Sequence, residues 1–127
     1  MRLLFVCSQN RLRSLTAEHL LDGENGHEVR SAGTEAGARQ RVKPGLLGWA
    51  EVVFVMERRH VDRLRAKFSS ELEGKPIINL RIPDEYMYMD EALIGLLRER
   101  LGEYFPAYVP FTQGGCADLY STPGLRL

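Results

Sequence analysis

No stretch of this sequence approaches the ~18 consecutive apolar residues that a membrane-spanning helix requires, so nothing in it is expected to cross a membrane. Net charge is missing as well. The 17 basic and 17 acidic residues cancel, which leaves no overall field to attract nucleic acid or an anionic lipid surface. Any attraction for anions must then be local. Cysteine is scarce: Cys7 and Cys116 are the only two, enough for one bridge at most. The first strand begins at Arg2, which is expected to leave no space for a leader, so a cytoplasmic chain with reduced thiols is expected. Histidine is sparse too. His27 and His60 have no partner at metal-ligand spacing, and His19 falls on a helix among apolar residues, so no metal is expected. What remains is ordinary globular material, 44% hydrophobic and 27% charged. A chain of 127 residues suits one domain with one core.

A short apolar run, Leu3 to Val6, reads as a strand covered on both faces. From Arg13 the spacing turns helical through Leu15, Ala17, His19, Leu20 and Leu21, and Asp22-Gly23 supplies a left-handed stop. A second strand lies in "HEVRSAGT", which opens into Gly33 and a loop. A brief helix around Leu46 to Ala50 precedes a third apolar strand, Val52 to Val55. Glu57 to Phe68 returns to helical spacing through Val61, Leu64 and Phe68, with the charges of "ERRHVDRLRAK" on its outside. The fourth strand is "KPIINL", after a turn at Gly74. Asp90 to Tyr104 is the last helix, with Leu93, Leu96, Leu97 and Leu101 on one face and Asp90 as its cap. Strands that alternate with helices, each strand apolar throughout, predict an α/β domain: a parallel sheet between two layers of helices. That domain is expected over 1–105. From Pro106 the scattered prolines and glycines predict an irregular C-terminal tail, 106–127.

Ligands of such sheets bind beyond the carboxyl ends of the strands, and Cys7 stands at that end of the first strand. Alone, a cysteine closing an apolar strand is a small buried hydrophobe. The residues from Ser8 to Ser14 give it another role. A loop between a buried strand and a helix start turns successive backbone N–H groups into one concavity beside the positive end of the helix dipole. A thiol at the first position of that loop has its anion stabilised by both. Arg13 can fold its planar guanidinium across the loop mouth, where its fork matches two phosphate oxygens. Asn10 suits a left-handed backbone at mid-loop, and the Ser14 hydroxyl can reach back to the sulfur. Together these residues describe a nucleophilic thiolate beneath a phosphate cradle.

"CSQNRLRS" resembles the Cys-x5-Arg-Ser phosphate loop of the low-molecular-weight protein tyrosine phosphatase superfamily, and more closely that of short bacterial predicted tyrosine phosphatases. "RSLTAE", "SAGT", "WAEVVFVME" and "IPDEY" come after it in the same order, so the resemblance runs from Arg2 to about Tyr104. It implies a four-stranded parallel sheet in the order 2-1-3-4, with the phosphate loop after strand 1. It also implies phosphomonoester hydrolysis through a cysteinyl-phosphate on Cys7, without cofactor or metal. The backbone of Ser8, Gln9, Asn10, Arg11 and Leu12 would then hold the phosphoryl oxygens with Arg13, and Asn10 and Ser14 would support the loop and the thiolate. The family places a general-acid aspartate in the loop after the fourth strand, and Asp84 in Pro83-Asp84-Glu85-Tyr86 occupies that position. Asp90 and Glu85 stand behind it as candidates. Tyr86 matches a rim tyrosine that stacks on an aryl substrate.

The loop departs from the common family pattern at Gln9, Leu12 and Leu15, where relatives carry glycine, a second cysteine and proline. A protective disulfide within the loop is therefore excluded. The segment between "SAGT" and "ARQ" is shorter than in typical relatives, which leaves the preference for phosphotyrosine open. Arg11, Arg39, Arg41 and Lys43 read first as a solvated basic face. The expected partner is a phosphorylated protein or a small phosphomonoester, with no nucleic acid and no membrane, and the chain is expected as a monomer or weak homodimer. Two alternatives remain: arsenate reduction with the same loop, which needs further thiols such as Cys116, and a phosphate- or phosphoprotein-binding module without turnover.

Overall fold

The computed structural model describes residues 1–105; the expected tail, 106–127, and Cys116 lie outside the described residues. Strands and helices alternate: β1 (Arg2–Cys7), α1 (Arg13–Leu21), β2 (Glu28–Gly33), α2 (Pro44–Trp49), β3 (Val52–Val55), α3 (Arg58–Leu72), β4 (Ile77–Asn79) and α4 (Glu91–Leu101). All pairings are parallel, and the sheet order is β2-β1-β3-β4, as expected. None of the described helices is long and apolar enough to cross a membrane.

The two-residue period of β1 divides the core. Leu3, Phe5 and Cys7 point to the layer that contains α1 and α4, where they meet Ala17, Leu21, Leu93, Leu97 and Leu101. Leu4 and Val6 point to the other layer, against Leu47 of α2 and Leu64 and Phe68 of α3. Each fully buried Leu or Phe contributes ~1.5–3 kcal/mol, so both layers clamp the central strands. Phe5 also stacks on Phe54 of β3, with ring centroids 5.0 Å apart. The chain leaves β1 through α1 on one face and returns to β3 through α2 on the other. The crevice at the carboxyl ends of β1 and β3 is thus a topological switch point. Cys7 sits there.

Four expectations need correction. Only β1 and β3 are near-fully covered; Glu28 and Arg30 of β2 are exposed and β4 is half-buried throughout. A four-stranded sheet has two edges, and the helices cover its middle. In α1 the buried residues are Arg13, Ser14, Thr16, Ala17 and Leu21, while His19 is exposed and Leu15 and Leu20 are half-buried. Its first turn buries polar groups because it packs under the loop that precedes it. In α3, His60 was expected on the charged exterior; it is buried with Leu64, Phe68 and Leu72. The helix also runs on to Leu72, past a distorted Phe68 at φ −127°. In the last helix the cap is as expected, with Asp90 accepting the Ala92 N–H at 2.9 Å. The helix ends at Leu101 rather than Tyr104, and Leu96 is half-buried while Leu93, Leu97 and Leu101 are buried.

Candidate active site

The loop from Cys7 to Arg13 has four of its carbonyls bonded to the segment that follows β2. Cys7 O and Ser8 O accept the N–H groups of Thr34 and Glu35 at 3.0 Å each, and Gln9 O accepts that of Arg39 at 2.9 Å. Asn10 O accepts from Arg39 Nε at 3.2 Å. Asn10 itself has φ 57°, the left-handed turn its side chain tolerates. The segment after β2 therefore takes up four successive carbonyls, while the amides of Ser8 to Leu12 bond no acceptor among the described residues. The start of α1 carries no side-chain cap either. Unpaired amides beside a helix N-terminus are a site for an anion. Gly33 makes the close approach possible, since a Cβ there would lie 2.5 Å from Ser8 O and 2.6 Å from the Ala38 Cβ.

Beneath the loop runs a chain of hydrogen bonds. Asn10 Nδ2 donates to Ser14 Oγ and to Ser31 Oγ, both at 2.8 Å. Ser31 Oγ donates to Glu18 Oε1 at 2.5 Å. Ser14 Oγ, already accepting from Asn10, lies 2.9 Å from Cys7 Sγ and can give its proton to the sulfur. Asn10, Ser14 and Ser31 are all buried. Ser31 and Glu18 had no role in the sequence reading; they lie in the "SAGT" and "RSLTAE" blocks, yet only the fold brings them to Asn10.

Arg13 is 2% exposed, so its charge requires compensation. Its NH1 nitrogen donates to Glu57 Oε2 at 2.5 Å and to Ile82 O at 2.8 Å. Glu57 follows β3 at the switch point and also receives Arg59 at 3.2 and 3.3 Å. Burial disfavours the Glu57 carboxylate, but hydrogen bonds from Arg59 and Arg13 outweigh it and hold its pKa below the ordinary glutamate range. With NH1 engaged, Arg13 Nε and NH2 make no hydrogen bond among the described residues. His60 lies next to this pair. Its Nδ1 accepts the Glu57 N–H at 3.0 Å, and its Nε2 is 3.0 Å from Ser8 Oγ. Burial first, then the charges of Arg13 and Arg59, lower its pKa to about 4, so the ring is neutral near pH 7. Glu57 had no site role in the sequence reading, although its place at the carboxyl end of a central strand was a signal for one. His60 had none either, although it stands four residues before Leu64 and eight before Phe68, on the face that is buried.

Cys7, Ser8, Gln9, Arg11, Leu12, Arg13 and Asp84 line one cavity of about 230 Å³. A larger one, about 430 Å³, lies between α3 and the segment after β2; it includes Arg41, Leu64 and Lys67 but not the thiol. The smaller cavity is the one that holds reactive groups. Asp84 is 57% exposed, and its Oδ1 lies 3.8 Å from Arg13 Nε. Asp90 is occupied as a helix cap, and Glu85 is exposed outside the cavity lining. Tyr86 is half-buried against the α1/α4 core rather than among the lining residues, while Tyr88 is held by His19 through a 2.6 Å hydrogen bond. Of the basic residues, Arg39 secures the loop, Arg11 reaches Gly37 O at 3.2 Å from the mouth, and Arg41 lines the other cavity.

A parallel sheet in the order β2-β1-β3-β4, with a Cys-x5-Arg-Ser loop at its switch point, has the fold of the low-molecular-weight tyrosine phosphatases. The tyrosine phosphatase Wzb from Escherichia coli K30, solved with phosphate, matches with a TM-score of 0.66 at 20% identity, over 81% of this chain and 94% of that one. The YwlE arginine phosphatase from Geobacillus stearothermophilus matches with a TM-score of 0.64 at 23% identity, over 84% and 93% of the two chains. A low-molecular-weight protein tyrosine phosphatase from Streptococcus pyogenes matches with 0.58 at 15% identity, over 95% and 91%. No protein-family model and no curated protein matches the sequence.

Proposed function

We propose that the chain is a cysteine-dependent phosphomonoesterase that works through a phosphoryl group carried on Cys7. The observation that carries this reading is the bonding of the loop. Four of its carbonyls are taken up by the segment after β2, while the amides of Ser8 to Leu12 bond no acceptor among the described residues. The loop lines one cavity with Arg13 and the buried thiol. Preorganised donors of this kind stabilise the charge that develops on phosphoryl oxygens. The Cys7 sulfur attacks phosphorus; the ester P–O bond breaks and its electron pair leaves on the alcohol oxygen. Asp84, at the mouth, gives that oxygen its proton. Water then attacks the phosphorus, Asp84 takes a proton from it, the P–S bond breaks, and inorganic phosphate leaves with the thiolate restored. Ser14, held by Asn10, supports the thiolate in both steps. A structure similar to this one, a YwlE arginine phosphatase variant (TM-score 0.54, 20% identity), carries a phosphorylated active-site serine, which supports a phosphoryl-enzyme stage.

Arg11 at the mouth favours a phosphomonoester over phosphoarginine, whose own guanidinium it would repel. The test is metal-free turnover of p-nitrophenyl phosphate, phosphotyrosine and phosphoarginine at mildly acidic pH. Turnover of the two esters that disappears in Cys7→Ser and falls at least ~100-fold in Arg13→Lys is expected, because one ammonium cannot replace the fork. Unaltered turnover in Cys7→Ser would refute the nucleophile assignment.

A further inference from the structure

We infer that His60 is a positioning residue for the phosphate cradle: its Nε2–H holds Ser8 so that the serine hydroxyl donates into the cavity. This rests on the reading of the loop as a phosphate cradle. The protons can be assigned one by one. A backbone N–H can only donate, so the Glu57 amide 3.0 Å from Nδ1 makes that nitrogen the acceptor. The ring proton of neutral His60 is then on Nε2, and at 3.0 Å it is donated to Ser8 Oγ. Ser8 Oγ thus accepts, and its own proton has no acceptor among the described residues. Ser8 is half-buried and lines the cavity with Cys7 and Arg13. The hydroxyl adds one side-chain donor to those of the backbone and Arg13.

The environment keeps the arrangement in one tautomer. His60 is 1% exposed. Arg13 and Arg59 face it with positive charge, Glu57 and Glu35 with negative, and burial dominates to keep the ring neutral. Ser8 cannot rotate its oxygen elsewhere without abandoning the ring N–H in a buried place. His60 therefore joins the start of α3 to the first residue after the thiol, across the switch point between β1 and β3.

Its two nitrogens can be replaced separately. In His60→Asn an amide oxygen stands near the place of Nδ1, which keeps the bond from Glu57 but does not reach Ser8. In His60→Gln an amide nitrogen stands near the place of Nε2, which keeps the donor to Ser8 but loses the Glu57 bond. Inorganic phosphate binding to the full chain by calorimetry, kcat and KM for p-nitrophenyl phosphate, and melting temperature are the readouts. We expect phosphate affinity about 5- to 10-fold weaker in His60→Asn, the loss of one oriented hydrogen bond. His60→Gln is expected within about twofold of wild type, although it melts lower than His60→Asn. Ser8→Ala should weaken phosphate as much as His60→Asn does, and Ser8→Ala with His60→Asn no further. Wild-type affinity in His60→Asn, or losses that add in the double variant, would overturn the inference and leave the proposed function standing. A wild-type chain that binds no phosphate would overturn both.

Discussion

Lowering the pH from 7 to 5 offers His60 a proton it has no free site to accept. Protonation at Nδ1 would set one N–H against the Glu57 amide 3.0 Å away. Burial, then the charges of Arg13 and Arg59, oppose it further, against a smaller favourable contribution from Glu57 and Glu35. The folded pKa falls from an ordinary 6.5 to about 4. The unfolded chain therefore takes up its proton near pH 6.5 and the folded chain only near pH 4. Between those values the unfolded state binds more protons, so stability is full above pH 6.5 and is lost as pH falls. At ~1.4 kcal/mol per unit the whole interval corresponds to about 3 kcal/mol, and about 2 kcal/mol of it is lost by pH 5. That is a sizeable share of the 5–15 kcal/mol typical of a domain. His27, whose pKa is also lowered, adds to the same window, and Glu57 contributes in the same sense at lower pH. A single curve would not separate them. Urea unfolding of wild type and His60→Asn at pH 7, 6 and 5 does, because the asparagine does not titrate. Wild type should lose about 2 kcal/mol more than the variant between pH 7 and 5. Parallel losses in the two proteins would refute the buried neutral histidine and its hydrogen-bond pattern.

Asp84→Asn should slow hydrolysis of alkyl phosphates by ~10²–10⁴ while p-nitrophenyl phosphate, whose leaving group needs little protonation, changes much less. Equal loss on both, read from kcat across a leaving-group series, would move the acid role away from Asp84. Gly33→Ala should cost about 1–3 kcal/mol and weaken phosphate binding, because its Cβ would meet Ser8 O and the Ala38 Cβ, at 2.5 and 2.6 Å. Unchanged melting and unchanged phosphate affinity would show that the loop does not need this approach.

Some parts of this site were readable residue by residue. The order of strands and helices came from local periodicity, and Asp90 capped its helix as its position required. Asn10 is left-handed for the reason that favours asparagine at such turns. Cys7, Arg13 and Ser14 lie within a few residues of each other, so a single turn of loop and helix brings them together. Asp84 came from the family resemblance, which implies an acid after the fourth strand, and it lines the cavity with the thiol. Where the reading failed, the pattern was local but the outcome was not. His60 reads as polar like the arginines beside it, though its spacing of four from Leu64 puts it on the buried face, where the Ser8 hydroxyl meets it. The face of α1 was mistaken because hydropathy cannot anticipate that Ser14 and Arg13 are the residues turned inward.

By itself, then, the sequence determined what depends on neighbours along the chain: the alternation of apolar strands and helices, the thiol at a strand end, and the loop with its arginine and serine. Tertiary structure alone decided what depends on neighbours in space. It brought Thr34, Glu35 and Arg39 to the loop carbonyls, which leaves the amides of Ser8 to Leu12 without an acceptor among the described residues. It also placed Glu57 against the buried guanidinium and His60 against Ser8. The physical reason is that a buried polar group must find a partner wherever the packing puts one. For Arg13 that partner, Glu57, is 44 residues away along the chain, and for Ser8 it is His60, 52 residues away. The parallel register of β1 with β3 is what closes both distances.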